Sequence, residues 1–458
     1  MAGGLFGGGT GSAIDPYIVE DALDLDAVRN DLTAFYKQNQ NIDLNVAPYN
    51  TGLGWEPIGT TANRFRGGYN GDGYTITNLF INRDVGGIGL FGYANSPIFQ
   101  NISLTNVSIE ITRSYCGALC GLAEGRSILG TGQFIIDNCT AQGNINSGNS
   151  QFDFVGGLVG ACDSLGGNAD ITYEITDCWF KGSVKGRDYV GGLIGRGQYK
   201  TEPTNCYTEA TVSGRRWVGG LIGHCFSNNA SYLPTVTTCH SIGTVTGEYD
   251  CGGLIGFIGG HSTATRATVT GCNSGSNVTT TYNGTVAPGD GGLIGQCTHS
   301  LVYNSYSYGN VFGVRGNKGG LIGRSNNSSI SKCYANGSVT GTSSAVDANT
   351  RHGGLIGYIT SSIVNKCYAR GNVTSGNVAS GLVGIGFSAD SIAECYATGL
   401  LTAPTKRGLA SGNVVVTNSV WDTQTTTAPT SDGGSGKTTA QMKTKQTFID
   451  LGWSIDDE

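Results

Sequence analysis

Six acidic residues stand shortly before a recurring glycine-rich phrase, and they are the side chains that could do chemistry. They are Asp153, Asp188, Glu248, Asp250, Asp290 and Asp347. Two carboxyl groups held at a fixed separation can cleave a glycosidic bond, one as the acid and the other as the base or nucleophile. The acids here are sparse and lie at strand entrances beside glycines. We expect exposed turn residues, and a glycan-cleaving spike is the alternative.

Other catalytic patterns are absent from the sequence. There is no nucleophile elbow, no phosphate-binding loop and no dinucleotide fingerprint. The Cys residues show no zinc-ligand spacing. Asp72 could suggest a calcium loop, but its surroundings lack the EF-hand pattern, so we expect a tight turn. The sequence predicts no enzyme activity, no cofactor and no metal site.

A row of aromatic residues is the stronger candidate for binding. Each follows the Cys, or the equivalent Ser, of a second repeated phrase, CYANGSVTG at 333–341: Trp179, Tyr207, Tyr306, Tyr334, Tyr368 and Tyr396. Strand alternation turns these side chains outward, one above the next. Such a row could contact sugars or another subunit. Its rings could equally stack on one another and stabilise the sheet, and the sequence leaves the three possibilities open.

Eight Cys residues share one position of that second phrase. They are Cys139, Cys178, Cys206, Cys239, Cys272, Cys333, Cys367 and Cys395. Alternation places this position in the core, together with Ala335 and Val339. Side chains stacked in register point the same way, which is poor geometry for a disulfide. We predict a ladder of thiols that pack as small hydrophobes, with a redox or metal role as the alternative.

The elements that must position these residues recur along the chain. Gly-Gly-Leu-Ile-Gly first occurs at 191–195 and last at 353–357, with looser copies on both sides. Its shortest spacings are near that of Gly192 and Gly220, 28 positions apart, which is typical of stacked repeats. We expect roughly three short strands a turn, with glycine where a Cβ would clash at a corner. The fold class predicted is all-β: a single right-handed parallel β-helix (β-solenoid).

The N-terminal end differs from the repeats, as a stack requires. Residues 1–13 form a Gly-rich tip in which Leu5 and Phe6 are anchor candidates for a neighbouring subunit. The alternative is that the tip folds back on its own domain. Residues 14–92 hold the first turns and an amphipathic capping helix over 20–37.

The repeats and the C-terminal end complete the predicted organisation. Residues 93–422 are the β-helix repeats. Residues 423–458 are a loop followed by a C-terminal cap, with capping-box spacing from Thr438 to Gln441.

Composition indicates which partners the protein can bind and in which compartment it folds. The net charge is −6, whereas a nucleic-acid binder usually carries a basic footprint. The chain starts without a leader pattern and has no apolar run of membrane length. With 14 Cys and no disulfide framework, we expect folding in a reducing cytoplasm and no membrane insertion.

The repeated phrases resemble the GLUG motif family of bacterial and phage surface proteins. Gly-Gly-Leu-Ile-Gly preceded by Cys-Tyr-Ala-x-Gly-x-Val carries the resemblance. DPYIVEDALDLDAVRNDL with GWEPIG looks like the family's usual opening, and SVWDT with TTAQMKTKQTF looks like its usual ending. The resemblance covers nearly the whole chain and implies a parallel β-helix in an adhesin-like region. Some relatives carry a zinc peptidase, but HExxH is missing here, so that activity is not carried over.

These observations together predict a non-enzymatic virion structural or adhesion protein. It would be a rigid exposed rod, such as a phage fibre, spike or decoration protein, made in the host cytoplasm and displayed on the virion surface. We expect other virion subunits as partners at the N-terminal tip, a host-surface glycan or protein as target, and a homo-oligomer. A secreted bacterial cell-surface adhesin fragment is the first alternative.

Overall fold

The computed structural model describes residues 6–111, 114–125, 132–148, 154–163, 171–282, 284, 288–343 and 350–454. They group into two compact units, residues 1–215 with 220–240 and residues 216–219 with 241–458. Each unit is a stack of turns joined by parallel ladders, so the all-β, parallel β-helix prediction is confirmed. The chain visits four sheets, here called A to D, in the same order in successive turns of each unit.

The first unit begins with helix Ala22–Ala27 and 3-10 helix Val28–Asn30. Its sheet A contains Tyr17–Val19, Phe35–Gln38, Gly68–Asn70, Ile98–Gln100, Gly132–Asp137, Ile171–Thr176, Lys200–Thr204 and Thr235–Thr237. Sheet B contains Ile42–Asp43, Thr75–Thr77, Phe80–Asn82, Ser103–Ile111, Thr140–Ser147, Trp179–Lys185 and Tyr207–Ser213. Sheet C contains Val155–Gly156 and Asp188–Gly191. Sheet D contains Phe91–Asn95, Cys120–Glu124, Val159–Asp163, Ile194–Gln198 and Ile222–Phe226.

The second unit repeats this plan with shorter strands. Its sheet A contains Ala267–Thr270, Ser300–Tyr303, Ser329–Ser331, Ile363–Asn365, Ser391–Ala393 and Val415–Thr417. Sheet B contains His240–Gly247, Asn273–Ser274, Asn277–Thr280, Tyr306–Ser307, Val311–Gly313, Tyr334–Ala335, Val339–Gly341, Tyr368–Ala369, Val373–Ser375, Tyr396–Ala397, Leu401–Thr402, Val420–Asp422 and Ser435–Lys437. Sheet C contains Arg216–Gly219, Tyr249–Gly252, Gly289–Gly291, Asn317–Gly319, His352–Gly353, Val378–Ser380 and Thr405–Arg407. Sheet D contains Ile255–Gly259, Ile294–Thr298, Ile322–Asn326, Ile356–Thr360, Val383–Gly386 and Ala410–Gly412. Helices Thr423–Thr426, Thr439–Met442 and Lys445–Ile449 follow the last turns.

The glycine phrase forms the corner between sheets C and D. Gly319 ends a strand of sheet C, and Ile322 begins the next strand of sheet D. A Cβ on Gly320 would collide with the carbonyl oxygen of Gly354 on the following turn. The intervening Leu321 is fully buried. The expectation of three strands a turn is therefore wrong, because this phrase joins two sheets instead of forming one strand.

The predicted helix over 20–37 is also wrong at its C-terminal side. Asp21 caps the helix by accepting from the backbone N–H groups of Leu23 and Asp24. The helical turns stop before Asp31, whose backbone is extended. Strand Phe35–Gln38 then lies in sheet A between two parallel neighbours. Ladder hydrogen bonds to both neighbours override the helical spacing of the apolar residues.

The C-terminal segment has more structure than the predicted loop. Within 423–439 lie the short helix Thr423–Thr426 and strand Ser435–Lys437, which pairs with Val420–Asp422. The predicted capping box is confirmed, because Thr438 and Gln441 satisfy each other's backbone N–H groups. These elements place a small helical cap beside the last turns of sheet B.

Candidate binding site

The repeated Cys closes a turn between sheets A and B. The residue before it has a left-handed backbone, as at Lys332 with φ 52°. The Cys333 thiol then donates to the carbonyl oxygen of Ser331 at 3.1 Å. Ser419 makes the same contact with its hydroxyl, to Thr417 at 2.8 Å. The side chain at this position therefore donates a hydrogen bond that closes the turn. The interpretation of Cys as a small hydrophobic residue did not include this hydrogen bond.

All fourteen Cys side chains are buried thiols, including the eight of the predicted ladder. Within the ladder, burial raises the pKa of Cys333 and Cys367. Burial acts in the same direction on Cys206, but hydrogen bonds with Cys178 and Cys239 outweigh it and lower the pKa of that thiol. Outside the ladder, burial raises the pKa of Cys297 to about 11 and that of Cys225 to about 12. Among the described residues, no three His, Cys, Asp or Glu side chains gather closely enough to hold a metal ion. The ladder is thus built for packing and turn closure.

The aromatic row lies on sheet B, with a separate part in each unit. In the first unit, Trp179 and Tyr207 stack with centroids 5.8 Å apart. In the second unit, Tyr306 and Tyr334 lie 4.7 Å apart, and Tyr368 and Tyr396 lie 4.8 Å apart.

Ring stacking decides which faces of this row a ligand could reach. The planes of Tyr334 and Tyr368 are 1° apart at 4.8 Å, which is the spacing of strands in a sheet. Both faces of each of these two rings are therefore covered by neighbouring rings. A sugar that stacks on an aromatic face cannot use them, and only their edges and hydroxyls remain. The last ring, Tyr396, has one face on Tyr368 and the other toward the helical cap.

A cleft of about 560 Å³ opens beside Tyr396, between the last turns and the cap. Phe448 and Trp453 form its second aromatic wall, with their centroids 5.0 Å apart. Each lies 6.5 Å from the Tyr396 ring. Trp453 is held in place because its indole N–H donates to the carbonyl oxygen of Asn418 at 2.6 Å. The volume falls within the range of small-molecule sites.

Two cations and one carboxylate also line the cleft. Arg370 donates to the Tyr396 hydroxyl at 2.7 Å, and that hydrogen bond raises the pKa of Arg370. Lys443 on the cap is exposed. The buried Asp422 already accepts from the backbone N–H groups of Gln424 and Thr425. The positive groups are thus the ones available to a ligand, and the cleft suits an acidic one.

Sequence reasoning missed this cleft. Tyr396 was predicted as one member of the row, but its pairing with Phe448 and Trp453 depends on how the cap folds back. Phe448 and Trp453 were read only as parts of a lid. The missed signal is that the last Tyr of the row has no further Tyr to cover it.

Among the described acidic residues, Asp188 and Asp290 are each paired with a cation and are not free to act as a hydrolytic pair. Asp188 is buried and makes a two-point ion pair with Arg215, with contacts of 3.0 and 2.9 Å. Asp290 is fully buried against Lys318 at 3.0 Å. Burial raises the pKa of Asp250 to about 6. The prediction that these acids are exposed turn residues is wrong for Asp188 and Asp290, because each is buried in an ion pair with a basic side chain. Asp153 and Asp347 lie outside the described residues.

The N-terminal tip lies along its own unit. The Phe6 ring stacks on Tyr17 with centroids 4.8 Å apart. The backbone of Gly7 and Gly8 exchanges hydrogen bonds with Ile18. Leu5, the other anchor candidate, lies outside the described residues.

Asp72, the residue considered for a calcium loop, lies in a turn. Its backbone is left-handed with φ 51°, and its carboxylate pairs with Lys37 at 3.0 Å.

No protein-family profile matches the chain. A protein named as a Gly-rich membrane protein of Evansella cellulosilytica is 42% identical over 144 residues, which are 30% of this chain and 16% of that protein. Halomucin of Haloquadratum walsbyi is 32% identical over 169 residues, 34% of this chain and 2% of that protein. The chain thus spans less than a fifth of either relative.

The chain is similar in part to a solved structure. A protein of Bacteroides ovatus named as an immunoglobulin A1 protease superposes with a TM-score of 0.43 and 19% identity. The match covers 68% of this chain and 81% of that chain.

Within the described part of the chain, no helix is both long enough and apolar enough to cross a lipid bilayer.

Proposed function

We propose that this chain is a non-catalytic, surface-displayed adhesion segment that binds acidic saccharides in the cleft beside Tyr396. The cleft carries the proposal, because it joins an open aromatic face to two cations. Aromatic faces bind the apolar faces of sugar rings, and the polar groups fix the orientation of a ligand. Arg370 and Lys443 complement a sugar carboxylate. The turns of the β-helix that carry Arg370 and Tyr396 then serve as a rigid support for the cleft.

The names of the two curated relatives, a Gly-rich membrane protein and Halomucin, support surface display. The GLUG-like phrases point to the same adhesin-like setting. We propose no enzymatic step, because the buried acids Asp188 and Asp290 are each paired with a cation.

The carrier of the segment is a virion or a cell. Fourteen buried thiols favour folding in a reducing cytoplasm, which fits our proposal of a virion protein released by lysis. Fractionation of purified phage particles and of the cell surface, probed with an antibody to this chain, separates the two. If the chain were found on cells alone, the virion hypothesis would be rejected and the bacterial adhesin hypothesis would remain.

Binding is tested by titrating the whole chain with uronic-acid oligosaccharides, sialylated oligosaccharides and neutral glucose oligosaccharides. We expect the wild-type chain to bind at least one of the two classes of acidic oligosaccharide. Lys443→Glu should bind that oligosaccharide about tenfold more weakly than the wild type, which corresponds to about 1.4 kcal/mol. Lys332→Glu reverses an exposed charge outside the cleft and should leave binding unchanged. No affinity for any acidic sugar, or equal affinity in all three proteins, would sink the proposal.

A further inference from the structure

One column of sheet C in the second unit carries charge into an otherwise apolar core. Asp290, Lys318 and His352 follow one another in register on successive turns. Val218 and Ala379, which belong to the same column, are apolar and fully buried. The side chains of Asp290 and Lys318 are both 0% exposed. A column that is apolar at Val218 and Ala379 thus holds a buried amine and a buried carboxyl group in contact.

The two groups are positioned by further hydrogen bonds. Lys318 Nζ lies 3.0 Å from Asp290 Oδ2 and also donates to the Arg315 carbonyl oxygen at 2.5 Å. The Thr280 hydroxyl donates to the same Asp290 Oδ2 at 3.1 Å. The backbone N–H of Cys251 points at Oδ1 from 3.5 Å. The carboxyl group is therefore held between an amine and two donors that would polarise it.

Keeping this pair charged is costly in a dry core. Removing two ions from water costs several kcal/mol for each, and their attraction often fails to repay it. Burial raises the pKa of Asp290 despite the nearby ammonium. Proton transfer from Lys318 to Asp290 would leave a neutral amine beside a neutral carboxylic acid. That neutral state is the reactive one for amide formation.

We propose that Lys318 and Asp290 condense into an isopeptide bond that joins two successive turns. The Nζ lone pair attacks Asp290 Cγ, and a new C–N bond forms while the electrons of the C=O bond move to oxygen. The Cγ–OH bond then breaks, and the hydroxyl leaves as water with a second proton from Nζ, relayed by the Thr280 hydroxyl. An ammonium and a carboxylate thus become one amide and one water, and no oxidant or other co-reactant is needed.

The amide would remove both buried charges and tie two turns together. It has the effect that a disulfide has in other chains, since it constrains the unfolded state across the 28 positions that separate Asp290 from Lys318. The fourteen Cys of this protein remain thiols. A bond that forms without oxidation would cross-link two turns of the second unit in any compartment.

Intact-mass measurement of the purified whole chain tests the proposal. We expect a mass one water below that of the sequence, and a digest peptide that links the segments containing Asp290 and Lys318. Lys181 and Glu209 form the matched control, since they also lie 3.0 Å apart but are both about half exposed, and they should stay unlinked. Lys318→Arg should restore the full mass.

A rate measurement keeps the test decisive if Lys318→Arg folds poorly. Thr280→Val removes the donor on Asp290 Oδ2, and we expect linkage to slow about 100-fold, the usual loss for one such donor. Freshly folded and aged samples of both proteins are compared by mass. A full sequence mass in aged, folded wild-type protein would overturn the proposal and leave an ordinary buried ion pair.

Discussion

Tyr334 and Tyr368 lie face to face on adjacent turns, with centroids 4.8 Å apart and planes 1° apart. Their backbones pair in register in sheet B. The rings thus repeat the spacing of the strands that carry them. The stacked rings in the middle of the row therefore stabilise the sheet, and the ligand contact that we propose lies at the end of the row, beside Tyr396.

The first prediction concerns this stack. Tyr334→Leu should lower the free energy of unfolding by about 1 kcal/mol, because aromatic pairs contribute about that much beyond area burial. Tyr334→Phe keeps both ring contacts and should be nearly neutral. Urea unfolding followed by fluorescence measures both. Equal losses in the two variants would show that the hydroxyl, not the stack, stabilises the sheet.

The fold was predictable because its signals are local and repeated. Alternation in CYANGSVTG correctly places Cys333, Ala335 and Val339 in the core. Glycine is required at position 320, because any Cβ there would collide with the carbonyl oxygen of Gly354. The helix end near Asp31 was not predictable, because pairing with distant strands decided it.

The site was predictable only in part, for the same reason. The row of Tyr side chains follows from strand spacing alone. The meeting of Tyr396 with Trp453, and of Asp290 with Lys318, needs the register between turns separated by variable insertions. A single sequence does not fix those registers.

The second prediction concerns the glycine corner. Gly354→Ala places a methyl group against the carbonyl oxygen of Gly381, so we expect a loss of about 1 to 3 kcal/mol, as for other overpacked sites. Ser380→Ala, in the same phrase one turn later, removes a buried hydroxyl that has no partner among the described residues. That variant should be neutral or slightly stabilised. Thermal midpoints of the two variants should therefore move in different directions or by clearly different amounts.

The third prediction concerns the thiols. Because all fourteen thiols are buried, a reagent cannot reach them in the folded protein, and we expect almost no labelling of the native protein at pH 8. Full labelling should follow in denaturant. Rapid reaction of several thiols in the folded protein would contradict a buried ladder.

Within that ladder, Cys395→Ser tests turn closure. The Cys395 thiol donates to the Ala393 carbonyl oxygen at 3.1 Å, and Ser305 and Ser419 make the same bond with a hydroxyl. We expect Ser to cost less stability than Val, which keeps the apolar character but loses the donor. The order of the two urea midpoints decides whether the hydrogen bond or the apolar volume matters more.

The last prediction concerns the buried His352, whose Nδ1 lies 2.8 Å from the Ser375 hydroxyl. While Lys318 is a free ammonium, burial lowers the pKa of His352 from 6.5 to about 3, and the charges of Lys318 and Arg351 act in the same direction. The unfolded chain therefore takes up a proton first as the pH falls. The stability that rests on the neutral ring is fully present above about pH 6.5 and is lost toward pH 3, by up to about 1.4 kcal/mol per pH unit.

His352→Gln removes this titration and keeps a hydrogen-bonding side chain, so its unfolding free energy should fall less than that of the wild type between pH 6.5 and 4. Asp250 titrates with the opposite sign, because its pKa is raised to about 6 and the folded state holds its proton more tightly. Comparing variant with wild type at each pH cancels that contribution. His261→Gln, at an exposed position, should keep the wild-type slope. Parallel pH curves for His352→Gln and the wild type would show that His352 is protonated equally in the folded and unfolded states.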